Sequence, residues 1–182
     1  MDRNAWRTPP EIFAVMNEEF DFKLDVAASR ENALCENYID QSLDAIGDCD
    51  WLPDPDNEVG AGSYCWCNPP YSDIGPWVSK AAEQSMLNGV GVVMLVMADT
   101  SVGWYKKAIE TCQEVRLITG GRLAFLDPET AKPTGGNNKG SMFLIWHPFA
   151  KGKLMVSHAD RDQMMAKGAE IIKRDLLMHV PF

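Results

Sequence analysis

The sequence lacks a glycine-rich phosphate-binding loop. The first predicted strand, over residues 20–28, is followed by neither a GxGxxG pattern nor a P-loop. Gly60 and Gly62 precede a strand instead of following one, which is typical of an ordinary loop. This absence disfavours a protein that binds dinucleotides or nucleoside triphosphates, and it favours a ligand without phosphate groups.

Signatures of metal binding, disulfide frameworks and membrane spans are also missing. None of the five cysteines forms a CxxC pair, and the three histidines all lie downstream of residue 146. No stretch approaches the ~20 apolar residues that a membrane span needs. We therefore expect no bound metal, no membrane partner, and free thiols in a reducing cytoplasm.

Positive charge is scarce, because 17 lysines and arginines face 26 acidic residues and the formal net charge is −9. A nucleic-acid binder normally presents a basic face to the phosphates, so this charge counts against one. Net charge nevertheless averages over the whole surface. Four basic residues are candidates for a local basic face: Arg116, Arg122, Lys132 and Lys139.

The most informative stretch that is present is an apolar strand, 64–67, followed by Asn68, Pro69, Pro70 and Tyr71. Two prolines have no backbone N–H and a fixed φ, so the strand ends there in a stiff turn. The side-chain oxygen of Asn68 and the carbonyl of Pro69 can accept the two hydrogens of a planar exocyclic amine. Tyr71 supplies a flat face for stacking. The plain alternative is a proline-rich turn with a structural aromatic residue.

Two upstream segments contain further candidates. Thr8 is predicted to be the N-cap of a helix that begins at Pro9, with Glu11 completing a capping box. This is either simply a well-capped amphipathic helix or a helix start that holds a cofactor. Asp25 lies near the end of the first predicted strand and is followed by small residues, so it can accept from an ammonium group or merely cap the next turn.

The remaining pattern predicts an α/β protein. Residues 90–97 are an unbroken apolar run, as in a central strand that is covered on both faces. We predict further helices at 32–38, 72–87, 102–112 and 157–178. We predict further strands at 114–118, 122–126 and 141–147, the last two paired antiparallel across a long loop, 127–140. The chain is expected to be one domain, 1–182, with a core at 5–147 and a helical C-terminal extension at 148–182.

Five sequence pieces carry a family resemblance: Trp-Arg-Thr-Pro, Leu-Asp-Val-Ala-Ala, Asn-Pro-Pro-Tyr-Ser, Gly-Arg-Leu-x-Phe and Ser-x-Phe-Leu-Ile-Trp. In this order the chain resembles the phage-type DNA N6-adenine methyltransferase (Dam) family over residues 5–147. The resemblance implies a Rossmann-like fold, mostly parallel with an antiparallel C-terminal hairpin. It also implies an S-adenosylmethionine-dependent enzyme, in the host cytoplasm if a phage encodes it.

The resemblance implies specific site residues. The catalytic motif is Asn68, Pro69, Pro70 and Tyr71. The cofactor-binding residues are Trp6, Thr8, Pro9, Asp25, Ala27, Ala28 and Asp50. Of these, Asp50 is expected near the cofactor's adenine, with Trp51 packed on that ring. The target adenine is expected to be flipped out of DNA, because its amine is paired and stacked inside a duplex.

The chain departs from larger methyltransferases in two ways. It lacks their FxGxG first motif, and it leaves no room for a separate target-recognition domain after the last strand. Sequence specificity is therefore expected from short elements, the 127–140 loop or the 72–77 segment. The predicted DNA-binding residues are Ser72, Trp77, Arg122, Lys132, Asn137 and Lys139.

Two other functions stay open. One is an NPPY methyltransferase that acts on a glutamine amide of a protein or on RNA, since a planar amide fits the same acceptors and the acidic charge suits a protein substrate. The other is a non-catalytic interaction protein that keeps the fold.

Overall fold

The computed structural model describes residues 3–52, 60–135, 137–149 and 153–178. Within these ranges the chain forms a seven-stranded sheet in the order β2-β1-β3-β4-β6-β5-β7. The strands are β1 Phe22–Asp25, β2 Asn37–Tyr38, β3 Tyr64–Cys67, β4 Gly91–Met97, β5 Glu114–Thr119, β6 Ser141–Trp146 and β7 Met155–Asp160. The helices are α1 Pro10–Phe20, α2 Gly75–Leu87, α3 Gly103–Thr111 and α4 Arg161–Met178, with 3₁₀ turns at Arg3–Ala5 and Gln41–Leu43.

The apolar run at residues 90–97 forms the central strand β4, as predicted. β4 pairs parallel with β3 on one side and antiparallel with β6 on the other, and Val92–Val96 is completely buried. One hydrophobic cluster lies between the sheet and α2–α3, and a second lies between the sheet and α1. This layered α/β arrangement confirms the predicted Rossmann-like fold class.

The helices α1 and α4 lie on the same face of the sheet and pack closely at Gly168 of α4. A Cβ atom built there would lie 2.1 Å from the carbonyl oxygen of Glu11 in α1. Only glycine therefore allows the two backbones to approach this far. Within the described ranges, no helix is long and apolar enough to cross a membrane.

The predicted pairing of 122–126 with 141–147 is wrong. The first segment is not a strand, although Leu126 forms isolated bridges with Arg7 and Pro133. Its place beside β6 is taken by β4 and β5, both antiparallel to β6. Gly120 and Gly121, at φ 78° and 141°, turn the chain away from the sheet after β5. The segment instead contacts the chain before α1, through the hydrogen bonds between Leu126 and Arg7.

Two predicted helices also need correction. Residues 32–38 form a turn followed by the short strand β2, which pairs parallel with β1. The predicted helix at 157–178 begins only at Arg161, because the residues before it form β7 and pair parallel with β5. The C-terminal extension therefore contributes a strand to the sheet in addition to a helix.

Candidate active site

The carboxyl edge of the sheet brings together the two principal candidates. Asp25 is the last residue of β1, and Asn68 follows directly on β3, its parallel neighbour. Ligands in open α/β sheets bind at this edge. A small pocket opens there, lined by Asn4, Trp6, Arg7, Thr8, Asp25, Ala27, Asn32, Leu34, Trp66 and Asn68.

The side chain of Asn68 is held in one orientation. Its Nδ2 donates a hydrogen bond of 3.1 Å to the backbone carbonyl of Trp6. A carbonyl oxygen can only accept, so the amide must present its nitrogen to Trp6. The Asn68 side-chain oxygen is therefore left to accept from a ligand.

Tyr71 lies in an aromatic layer beside the pocket. Its ring meets Phe125 edge-on at 5.8 Å and 87°, and Phe125 stacks on Trp6 at 5.7 Å. The Tyr71 hydroxyl is buried without a hydrogen-bond partner in the described residues, and burial raises its pKa well above the usual range. Phe125 was not among the predicted site residues, although it is the last residue of the Gly-Arg-Leu-x-Phe piece.

The predicted capping by Thr8 is wrong. The helix α1 begins at Pro10, and Pro9 precedes it with φ −56° and ψ 131°. A residue before proline is pushed out of the helical region, so the Pro10 ring delays the helix by one position. Thr8 is 4% exposed, and its Oγ1 has no partner within the ranges described. A hydroxyl buried at the pocket without a partner is available to a ligand.

Asp25 both caps the turn and lines the pocket. Its carboxylate accepts hydrogen bonds from the backbone N–H groups of Ala27 (3.3 Å) and Leu34 (3.1 Å). The side chain is only 3% exposed. Burial raises the pKa of Asp25 to about 6, and these two N–H groups only partly offset that effect. Ala28 continues the turn by donating to the Ile39 carbonyl.

The structure places Asp50 at the other edge of the sheet. Its Oδ1 accepts from Gln84 Nε2 and Asn88 Nδ2, each at 3.1 Å, where α2 ends. The indole of Trp51 is completely buried and packs near Trp77, at 6.5 Å between ring centroids. Asp50 therefore cannot contact a cofactor at the carboxyl edge. Asp40 follows β2 at the carboxyl edge and accepts a hydrogen bond from the Ser42 N–H. It was not among the predicted cofactor residues, because the residues of β2 were expected to be helical.

The predicted DNA contacts in the 72–77 segment differ in accessibility. Ser72 is exposed directly after the Asn-Pro-Pro-Tyr turn, and its N–H donates to Asn4 Oδ1 at 2.9 Å. Trp77 is only partly exposed, because α2 directs it toward Trp51. Of the two, Ser72 is better placed to meet a substrate.

The basic candidates also divide into two groups. Arg122 is exposed on the segment that contains Phe125, and Lys132 is exposed on the loop that follows it. The Lys139 ammonium is paired with Asp99. Arg116 forms ion pairs with Glu19 at 2.7 Å and Glu114 at 2.8 Å, which neutralise its charge. The prediction of a basic face that includes Arg116 is therefore not supported.

Asn137 supports the loop instead of extending from it. The Asn137 Nδ2 donates to the Leu123 carbonyl at 3.1 Å, and the backbone carbonyl of Asn137 accepts from the Arg122 guanidinium. The side chain therefore ties the 127–140 loop to the segment that contains Phe125.

Together, the sheet with β6 running antiparallel between β4 and β5 and the Asn-Pro-Pro-Tyr turn at its carboxyl edge define the class of Rossmann-like amino-group methyltransferases. Among the described residues, no cluster of three or more His, Cys, Asp or Glu side chains could hold a metal ion. The DNA N-6-adenine-methyltransferase (Dam) family matches residues 1–171, and the chain belongs to this family.

Two phage proteins are similar along most of the chain. The DNA N-6-adenine-methyltransferase of Haemophilus phage HP1 (strain HP1c1) is 34% identical over 170 residues, covering 92% of each chain. The DNA N-6-adenine-methyltransferase of Escherichia phage T1 is 33% identical over 171 residues, covering 86% of this chain and 68% of the relative.

Proposed function

We propose that this protein transfers a methyl group from S-adenosylmethionine to N6 of an adenine flipped out of DNA. The observation that carries the proposal is the fixed orientation of Asn68, whose oxygen is left to accept at the carboxyl edge. The family membership supports the same reaction.

The residues at the pocket fit the cofactor. A buried carboxylate at Asp25 suits an ammonium group, and the unpartnered Thr8 hydroxyl suits a further polar atom. Trp6, Thr8, Asp25 and Ala27 line the pocket and would hold the cofactor there, with Pro9 and Ala28 next to them in the chain. Asp40 follows β2 at the carboxyl edge of the sheet, so we propose Asp40, instead of Asp50, as the acid near the cofactor's adenine. When bound, the cofactor supplies an electrophilic sulfonium methyl group.

The chain's own residues activate and hold the amine. Adenine N6 is a poor nucleophile, since its lone pair is delocalised into the ring. The Asn68 oxygen and the Pro69 carbonyl accept its two hydrogens and favour a more tetrahedral nitrogen. Pro70 stiffens the turn, while Tyr71 offers its ring to the base. Positioning and electrostatics supply most of the rate enhancement in such a reaction.

The test that separates the candidate substrates uses labelled S-adenosylmethionine with three acceptors: unmethylated duplex DNA, total RNA and protein extract. We expect the label in DNA alone. Label in protein or RNA would favour the glutamine-amide or RNA alternative. Label in protein would also agree with the net charge of −9, which suits a protein substrate better than DNA. No label and no cofactor binding would favour the non-catalytic alternative.

A further inference from the structure

Arg7 brings a positive charge to the same pocket as Asp25. It lies between Trp6 and Thr8 and lines the pocket with them. Its backbone N–H donates to the Leu126 carbonyl at 3.0 Å, and its carbonyl accepts from the Leu126 N–H at 2.9 Å. These two hydrogen bonds hold the backbone at Arg7, so the direction of its side chain is constrained.

The Arg7 side chain has one buried hydrogen-bond donor that the described residues do not satisfy. Its Nε is buried and has no hydrogen-bond partner in the part of the chain described. A buried polar group of this kind is costly unless a ligand completes it. The hydrogen bonds that the Asp25 carboxylate accepts come from the Ala27 and Leu34 N–H groups and not from Arg7.

The pocket therefore presents one cationic and one anionic group that are not bonded to each other. A ligand that complements both must carry an anion and a cation close together, as the α-amino acid end of a molecule does. A DNA phosphate would satisfy Arg7 alone, and it would place further negative charge beside the buried Asp25 carboxylate. A zwitterion has no such conflict.

We propose that Arg7 binds the α-carboxylate of the cofactor's methionine part, while Asp25 binds its ammonium group. This inference rests on the proposed use of S-adenosylmethionine. Arginine suits the role, because its planar fork of N–H donors matches a carboxylate. The unpartnered Thr8 hydroxyl belongs to the same pocket and can donate a further hydrogen bond to the ligand.

The test is calorimetric binding of S-adenosylmethionine and of decarboxylated S-adenosylmethionine, which lacks only the carboxylate. The wild-type protein should prefer the intact cofactor by about 10- to 100-fold, the range expected for hydrogen bonds to a charged group. Arg7→Met should bind both ligands about equally, with the loss confined to the intact cofactor. Arg7→Lys should keep part of the preference.

Arg30→Met is the matched control. Arg30 is exposed. The hydrogen bond from the Ser29 hydroxyl lowers the pKa of Glu31 most, and the charges of Arg30 and Arg7 both add to that effect, so Arg30→Met removes a similar nearby charge. It should keep the full preference for the intact cofactor. Thermal unfolding of each variant without ligand establishes that it is folded before binding is compared.

The other outcomes overturn the inference in distinguishable ways. If Arg7→Met still prefers the intact cofactor, Arg7 does not bind the carboxylate, and the proposed function stands. If Arg7→Met binds the cofactor normally but loses affinity for duplex DNA, the anion is a phosphate. If the wild-type protein binds neither ligand, the inference and the proposed cofactor fail together.

Discussion

At Asn68, one hydrogen bond determines which atom of the amide a substrate meets. The Trp6 carbonyl takes the amide nitrogen, so the oxygen is left as the acceptor. This contact joins residues far apart in sequence, and it lets the chain before α1 orient a side chain of the Asn-Pro-Pro-Tyr turn. Sequence patterns identified both partners but did not predict their contact.

Asn68→Ala should reduce methyl transfer by about 10²-fold or more, the scale for removing one polar group that stabilises a transition state. Binding of S-adenosylmethionine should largely survive, because the amide oxygen is proposed to contact the substrate amine. Initial rates and calorimetry on the same preparation measure both effects. Asn88→Ala, at the opposite edge of the sheet, should leave the rate within about twofold. A fully active Asn68→Ala enzyme would contradict the mechanism.

Cofactor affinity should depend on pH through Asp25. Burial raises the pKa of Asp25 to about 6, so the ligand-free carboxyl is protonated below that value and cannot pair with an ammonium group. Affinity should fall by up to about tenfold per pH unit below pH 6 and level off above it. Calorimetry from pH 5 to pH 8 measures the profile, and Asp25→Asn should flatten it. A wild-type profile that is flat over this range would exclude Asp25 as the ammonium partner.

The raised pKa of Asp25 also makes the stability of the protein depend on pH. Because the pKa of Asp25 is raised on folding, its contribution to the stability of the ligand-free protein is complete below pH 4 and is lost as the pH rises through about 6. The cost of keeping this buried carboxylate charged is consistent with a group retained to bind a ligand.

At the scale of elements, the sequence predicted those whose pattern is strong and local. The apolar run of β4 and the stiff turn after β3 were both placed correctly. The pairing of β6 was not predictable, because residues 122–126 alternate between exposed and buried positions as a strand does. They lie outside the sheet because Gly120 and Gly121 turn the chain away after β5. β7 was missed because it leads directly into α4 and is largely exposed at the sheet edge.

The packing of α4 on α1 should depend on Gly168. Gly168→Ala places a Cβ atom 2.1 Å from the Glu11 carbonyl oxygen, so the helices must separate. We expect a loss of about 1–3 kcal/mol in the free energy of unfolding, the usual cost of overpacking. Denaturant titration measures it. Gly103→Ala is the control: nothing lies within 4 Å of its added Cβ, and it should be neutral or slightly stabilising. Equal stability of the two variants would contradict the close packing.

At the scale of the whole molecule, the net charge of −9 predicts weak, salt-sensitive DNA binding through few phosphate contacts. Arg122→Gln and Lys132→Gln should each reduce the slope of log affinity against log salt by about one. Fluorescence anisotropy with a labelled duplex over a salt series measures the slope. Lys107→Gln, exposed on α3, should leave it unchanged. Unchanged slopes in the first two variants would place the DNA elsewhere.

The reaction itself is tested most directly by its product. The protein is incubated with S-adenosylmethionine carrying a labelled methyl group and unmethylated duplex DNA, and the DNA is then digested to nucleosides for mass analysis. We predict N6-methyl-2′-deoxyadenosine as the labelled nucleoside, nearly abolished by Asn68→Ala. Label on cytosine, or no labelled nucleoside from a preparation that binds the cofactor, would contradict adenine-N6 methylation of DNA by this protein.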